Sequence, residues 1–120
     1  MNEEIINELF TFLKQRRKTS EVQSYTASLV KNPEFLAKKI GEESSELIID
    51  FIKKNKQGVI KESTDLIYHV LVIWISLGIN PNEIWKELSS RRLKSGIEEK
   101  KNRGVKWTIY MMLTMCLPKY

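Results

Sequence analysis

The sequence has little of the chemistry that makes crosslinks, tight turns or membrane spans, with one cysteine, five glycines and three prolines among 120 residues. The single cysteine, Cys116, cannot form an internal disulfide, which argues against a secreted fold. The longest apolar run, residues 70–77, is interrupted by Ser76 and is much too short to cross a bilayer. The first four residues lack the apolar core of a signal peptide. We therefore expect a cytoplasmic protein without a membrane span.

Positive charge exceeds negative charge, with 20 lysines and arginines against 15 acidic residues and a formal net charge of +5. Such a balance is typical of proteins with anionic partners, namely nucleic acid, a membrane surface or a polyphosphate substrate. The lysines are scattered along the chain, so most of them are expected to lie on solvated surface. The length suits one domain with a single core.

Hydrophobic periodicity and the few turn residues predict an all-α protein, a bundle of four to five helices. Ser24 and Asn32 are predicted to cap helices with their side chains, Asn80 and Pro81 to open the last helix, and Gly78 to end the one before it. A turn at 55–58 would make two long helices antiparallel neighbours. The predicted helices cover residues 3–17, 24–30, 33–54, 59–77 and 81–94.

Five carboxylates stand at one-turn spacings on the two long helices: Glu42, Glu43, Glu46, Glu62 and Asp65. On a helical wheel the first three form one face that borders an apolar stripe. A like-charged pair at about 5 Å costs roughly 3 kcal/mol at an effective dielectric constant of about 20. A divalent cation would relieve this repulsion, and hard cations such as Mg²⁺ bind oxygen ligands and often serve phosphate substrates.

The alternative is that these acids form an ordinary solvated helix face with lysine partners. Glu62 and Asp65 weaken that alternative, because they interrupt a helix that is otherwise nearly all apolar, with only Tyr68 and His69 polar between residues 66 and 75. Such a helix is buried, and buried carboxylates need a partner or a metal ion. The two sets of acids together predict a metal site.

The carboxylate pattern resembles the MazG-like nucleotide pyrophosphohydrolase superfamily, and the closer match is to its phosphoribosyl-ATP pyrophosphohydrolase family. The Asp-Leu-x-Tyr-His element that begins at Asp65 and the Ser-Gly-Ile-Glu-Glu-Lys element that begins at Ser95 are the specific part of the match. The resemblance spans about residues 20–103. The segments that carry it are residues 24–26, 39–46, 62–69, 88–91 and 95–100.

This resemblance implies an all-helical, oligomeric enzyme, usually a homodimer, that uses Mg²⁺. Its reaction would be hydrolysis of phosphoribosyl-ATP to phosphoribosyl-AMP and pyrophosphate, the second step of histidine biosynthesis. The likeness stops after Arg103, so we expect a catalytic domain at 1–104. Residues 105–120 would form an apolar extension of unknown role.

Roles in that reaction fall to residues that match the family motifs. Glu42 is expected to be either a further metal ligand or the group that orients the attacking water. His69 would hold Asp65 or contact the substrate, and Tyr25 would lie at the edge of the site. The expected metal ligands are Glu43, Glu46, Glu62 and Asp65, and the expected phosphate-binding residues are Lys39, Arg91 and Lys100, with Arg92 and Arg103 as further candidates.

Two other functions remain open on the sequence alone. A house-cleaning pyrophosphatase for nucleoside triphosphates would use the same metal chemistry with a different base pocket. A basic helical module that binds nucleic acid would leave the buried acids unexplained, and these acids would repel phosphates. We therefore expect no nucleic-acid partner. A scaffold that has kept the fold without the activity is the remaining alternative.

Overall fold

Five α-helices follow one another in the computed structural model, which describes residues 3–21 and 23–92. No strand occurs among these residues, so the predicted all-α class is confirmed. The helix limits lie within a few residues of the predicted ones. The helices are α1 (Glu3–Arg16), α2 (Tyr25–Lys31), α3 (Pro33–Ile52), α4 (Lys56–Leu77) and α5 (Pro81–Arg92).

The two predicted side-chain caps before α2 and α3 have different outcomes. Ser24 caps α2 as predicted, because its hydroxyl oxygen accepts a hydrogen bond from the backbone N–H of Ala27. Asn32 is the N-cap residue of α3 as predicted, with Pro33 in the first turn, but its side chain makes no cap bond to α3. The amide instead donates to the backbone carbonyl of Ser28 at 2.7 Å. Asn32 ends α2 as well as preceding α3, and its donor satisfies an otherwise free carbonyl of α2.

The turn between α3 and α4 is tighter than predicted, because α4 begins at Lys56 and not at residue 59. Lys54 adopts a left-handed conformation with φ of 57°, and the side chain of Asn55 caps α4 by accepting from the N–H of Gly58. Gly58 thus lies inside the first turn of α4. A Cβ atom there would come within 2.5 Å of the Asp50 carboxylate, so a larger residue would require the Asp50 and Asn55 side chains to move. The result is a helical hairpin of α3 and α4.

Helix α4 is the centre of the core and is contacted by α1, α2 and α3. One buried cluster joins Phe10 and Leu13 of α1 to Leu71 and Ile75 of α4. A second cluster packs the α2 and α3 residues Leu29 and Leu36 against Val72 of α4. Burial of this kind contributes about 1.5–3 kcal/mol per large side chain. These contacts fix the rotation of α4 and therefore the direction in which its polar residues point.

The C-terminus of α4 ends as predicted at Gly78, whose φ of 70° is left-handed. The chain forms two units by its backbone contacts, residues 1–81 and 82–120, and helices α1 to α4 belong to the first. The expected domain boundary after residue 104 lies outside the described residues and stays a prediction. Among the described residues, no single helix is long and apolar enough to cross a membrane, and α4 passes that test only when taken together with α5.

Candidate metal centre

Three carboxylates from the two arms of the helical hairpin meet at one place. Glu43 comes from α3, and Glu62 and Asp65 come from neighbouring turns of α4. One oxygen atom of each lies within 4.8 Å of the others. Glu43 and Glu62 are 7% and 5% exposed, and Asp65 is half-buried. Three acidic groups at this separation and depth could hold a metal ion.

The carboxyl groups perturb one another in opposite directions. A hydrogen bond with Glu43, together with burial and a hydrogen bond with Glu46, raises the pKa of Glu62 to about 7. The pKa of Glu43 is lowered, first by the hydrogen bond from Glu62 and then, against the effect of burial, by Lys39. In the metal-free protein, protonation of Glu62 therefore relieves the repulsion between the two carboxylates. The buried Oε2 atom of Glu62 has no hydrogen-bond partner among the described residues.

Two lysines supply positive charge at the rim of the three-carboxylate cluster. The Nζ atom of Lys39 lies 3.2 Å from Oε2 of Glu42 and 3.4 Å from Oε1 of Glu43, and these contacts raise the pKa of Lys39, the hydrogen bond to Glu42 most of all. The Nζ atom of Lys61 lies 3.7 Å from Oε1 of Glu62. Sequence reasoning missed Lys61, because adjacent residues of a helix do not ordinarily face each other.

His69 is buried one turn after Asp65, and both of its ring nitrogens are engaged. Nδ1 lies 2.7 Å from the backbone carbonyl oxygen of Asp65, and Nε2 lies 3.3 Å from the hydroxyl of Tyr25. The expected contact between His69 and Asp65 thus occurs through the backbone and does not involve the carboxylate. The imidazole ring connects α4 to the first residue of α2.

Tyr25 lies beside the cluster, at the edge position that the sequence suggested. Its pKa is raised, chiefly by burial, and the charges of Lys39, Glu43 and Glu42 also act on it. Its ring stacks on that of Tyr68, with centroids 6.1 Å apart and planes at 14°. The side chain is nonetheless 47% exposed. Tyr25 is therefore held in place from one side and open on the other.

A model of the phosphoribosyl-ATP pyrophosphohydrolase family matches residues 6–92, a range that contains the whole cluster. The chain belongs to this family. It is 39% identical over 103 residues to a protein of Paramagnetospirillum magneticum named phosphoribosyl-ATP pyrophosphatase, covering 85% of this chain and 94% of that one. A relative of the same name from Saccharolobus solfataricus is 41% identical over 93 residues, which are 77% of this chain and 99% of the relative.

A third relative of that name, from Granulibacter bethesdensis, is 38% identical over 102 residues. The match covers 84% of this chain and 64% of that longer relative, so this chain spans somewhat less than two thirds of it. The family is thus shown by the family model and by relatives that are matched over nearly their whole length.

The other expected members of this family site are placed less centrally. Glu46 helps to raise the pKa of Glu62, yet it is exposed and lies outside the three-carboxylate group. Glu42 is also exposed and is paired with Lys38 and Lys39 at the rim. Both residues border the cluster, and their roles in the family reaction stay predictions.

Of the expected phosphate-binding residues, Lys39 alone belongs to the unit of the chain that holds the cluster. Arg91 lies on α5, where its Nε atom is 3.0 Å from Oε1 of Glu87. It belongs to the second unit of the chain. Lys100 lies outside the described residues, as does Arg103. Their phosphate-binding roles in the family reaction stay predictions.

Proposed function

We propose that this chain hydrolyses phosphoribosyl-ATP to phosphoribosyl-AMP and pyrophosphate, the second step of histidine biosynthesis, with Mg²⁺ held by Glu43, Glu62 and Asp65. The observation that carries this proposal is the convergence of three carboxylates from two helices in the part of the chain that matches the family. The names of the relatives support the substrate. Glu46, which touches Glu62, is proposed as a further ligand.

The residues of the cluster fit a hard divalent cation. All donors are carboxylate oxygens, which Mg²⁺ prefers. The buried Oε2 atom of Glu62 has no hydrogen-bond partner in the described part of the chain, and a cation would satisfy it. Lys39 and Lys61 reach only one oxygen each of the buried pair. A bound Mg²⁺ ion would neutralise charge on the polyphosphate and help to orient it.

The surrounding side chains supply the other requirements of phosphoanhydride hydrolysis. Water must attack phosphorus in line while the bond to the departing pyrophosphate breaks, and positioning and electrostatics provide most of the rate. We assign the water-orienting role to Glu42, whose carboxylate stands at the rim of the cluster. The ammonium group of Lys39 borders the same rim and is placed to stabilise phosphate oxygens. Lys61 adds charge on the α4 side.

The decisive experiment measures pyrophosphate release by the purified full chain with Mg²⁺. Phosphoribosyl-ATP is compared with ATP and with the common ribo- and deoxyribonucleoside triphosphates. Strong preference for phosphoribosyl-ATP is the expected result. Equal or faster turnover of ordinary triphosphates would assign the chain to house-cleaning pyrophosphatases. No release from any substrate would contradict catalysis and leave a scaffold that retains the metal site.

Lys39 provides a direct test of the phosphate contact. Replacing it with glutamine is expected to lower kcat/KM by about 10- to 100-fold, because a charged hydrogen bond to phosphate is lost. Mg²⁺ binding should be unchanged or tighter, because Lys39 competes for the carboxylate of Glu43. The matched control is Lys38→Gln, which removes an exposed lysine that only approaches Glu42 at 3.9 Å. Weaker Mg²⁺ binding in Lys39→Gln would contradict the assignment.

We also propose that the chain forms a homodimer or a higher homo-oligomer. Large apolar side chains lie exposed on both sides of the α3–α4 turn, including Phe51 at 73%, Ile52 at 72% and Ile60 at 60%. Exposed apolar surface of this kind commonly marks an interface. Light scattering of the purified full chain should give at least twice the 14.1 kDa chain mass. A monomer mass at micromolar concentration would contradict the proposal.

A further inference from the structure

The hydroxyl of Tyr25 has a defined hydrogen-bond direction, which follows from the contacts of His69. Nδ1 of His69 lies 2.7 Å from the carbonyl oxygen of Asp65. A carbonyl oxygen only accepts, so Nδ1 carries the hydrogen of this bond. A neutral imidazole then has a lone pair on Nε2. The hydroxyl of Tyr25, 3.3 Å away, therefore donates its proton to His69.

This arrangement leaves the oxygen of Tyr25 as an acceptor toward the open side of the ring. Its one proton is used by His69, and two lone pairs remain. The opposite face of the ring is covered by Tyr68, whose own hydroxyl pairs with Thr26 at 2.8 Å. The Tyr25 side chain is 47% exposed and feels the charges of Lys39, Glu43 and Glu42, so its oxygen is available to a ligand bound beside the carboxylates.

An acceptor at this place discriminates between the chemical groups of a nucleotide. Ionised phosphate oxygens are themselves only acceptors and gain nothing from it. A ribose hydroxyl has a proton to donate. The oxygen of Tyr25 is therefore suited to a sugar hydroxyl next to the phosphates, whereas the ammonium group of Lys39 is suited to the phosphates themselves.

We propose that Tyr25 accepts a hydrogen bond from a ribose hydroxyl of the nucleotide, and that His69 is the positioning residue that draws the tyrosine proton away from the substrate. The proposal rests on the proposed function for its substrate. Its structural part, the direction of the bond between Tyr25 and His69, can be tested without any turnover. The two parts are therefore measured separately.

The direction of the bond is measurable because His69 is the only histidine of the chain. Long-range ¹H–¹⁵N spectra of the full-length protein, recorded near pH 8 with and without Mg²⁺, assign its two ring nitrogens unambiguously. We expect a protonated Nδ1 and an unprotonated, hydrogen-bonded Nε2. Tyr25→Phe should shift the Nε2 resonance strongly and leave Nδ1 nearly unchanged. A hydrogen on Nε2, or no response to Tyr25→Phe, would overturn the proposal.

The ribose contact is tested by measuring kcat/KM of the unmodified protein and of Tyr25→Phe on substrates that lack one ribose hydroxyl. Tyr25→Phe is expected to reduce kcat/KM for phosphoribosyl-ATP about tenfold, a typical effect of one lost hydrogen bond. Two substrate analogues lack the 2′- or the 3′-hydroxyl of the adenosine ribose. In the unmodified protein, kcat/KM should be about tenfold lower for one of these two analogues than for phosphoribosyl-ATP. The variant should show no further loss with that analogue. Equal losses by the variant on all substrates would overturn the contact.

Two further variants separate positioning from folding. Tyr68→Phe retains the ring under Tyr25 and should keep the full preference for the ribose hydroxyl. His69→Gln keeps a side-chain acceptor for the tyrosine proton and should preserve part of that preference, whereas His69→Leu should lose it. If phosphoribosyl-ATP is not hydrolysed, the Nε2 resonance is followed on titration with AMP and its deoxy counterparts. A response common to AMP and both deoxy counterparts would then overturn the contact.

Discussion

Replacing Glu62 with glutamine is expected to abolish metal-dependent turnover and, at the same time, to stabilise the metal-free protein. Glu62 is the most deeply buried carboxylate of the cluster, and its charged form faces Glu43 and Glu46. Glutamine keeps the shape, removes the charge, and can donate hydrogen bonds to both neighbours. Loss of a ligand that places the substrate's phosphates should lower kcat/KM by at least about 100-fold.

Thermal melts with and without Mg²⁺ separate these two effects of Glu62→Gln. At pH 8 the metal-free variant should melt at a higher temperature than the unmodified protein, and Mg²⁺ should no longer raise that temperature. Glu34→Gln is the matched control, because it makes the same change on an exposed position in the first turn of α3. A Glu62→Gln variant that is less stable without metal would contradict the repulsion described here.

The fold was predictable from the sequence where periodicity and turn residues agree. Ser24, Gly78 and the Asn80-Pro81 pair mark helix limits that the structure confirms to within a few residues. The side chain of Asn32 could not be placed from the sequence, because two neighbouring helices compete for it. The amide of Asn32 is used by the carbonyl of Ser28, and a sequence pattern does not tell which of two helices receives such a donor.

The burial of Glu43 was predictable from its position on the helical wheel of α3. Glu43 is the acidic residue of α3 that stands closest to the apolar stripe, and Glu46 lies about 60° further round the helix from it. The structure accordingly buries Glu43 and leaves Glu46 exposed. The sequence pattern placed both among the metal ligands, because it does not show how deeply each carboxylate is buried.

The contacts that sequence reasoning missed all depend on distances between side chains. The Nζ atom of Lys61 lies 3.7 Å from the carboxylate of its neighbour Glu62. His69 contacts a backbone carbonyl and a tyrosine that is distant in the sequence. Tyr25 and His69 are 44 positions apart and meet only because the core packs α2 against α4. No periodicity links such a pair, so its hydrogen-bond direction becomes visible only in the folded chain.

The metal-free protein is expected to lose stability as the pH rises from about 4.5 to about 7. Folding raises the pKa of Glu62 from 4.5 to about 7, so in this range the folded state binds more protons than the unfolded state. Stability then falls with increasing pH. The lowered pKa of Glu43 acts in the opposite direction, but only at pH values below its ordinary one. Urea unfolding in the presence of a chelator, at pH 5, 6, 7 and 8, checks the slope.

Binding of Mg²⁺ should become tighter as the pH rises, because the ion must displace the proton of Glu62. The apparent affinity for Mg²⁺ is expected to be about tenfold weaker at pH 6 than well above pH 7, since one pH unit below the pKa leaves about a tenth of the group ionised. Calorimetry in buffers with different ionisation heats should detect close to one proton released per ion at pH 6 and almost none at pH 8. In Glu62→Gln the Glu62-dependent proton release should disappear. An affinity in the unmodified protein that is unchanged between pH 6 and pH 8 would show that Glu62 is not displaced from Glu43, and would remove it from the set of ligands.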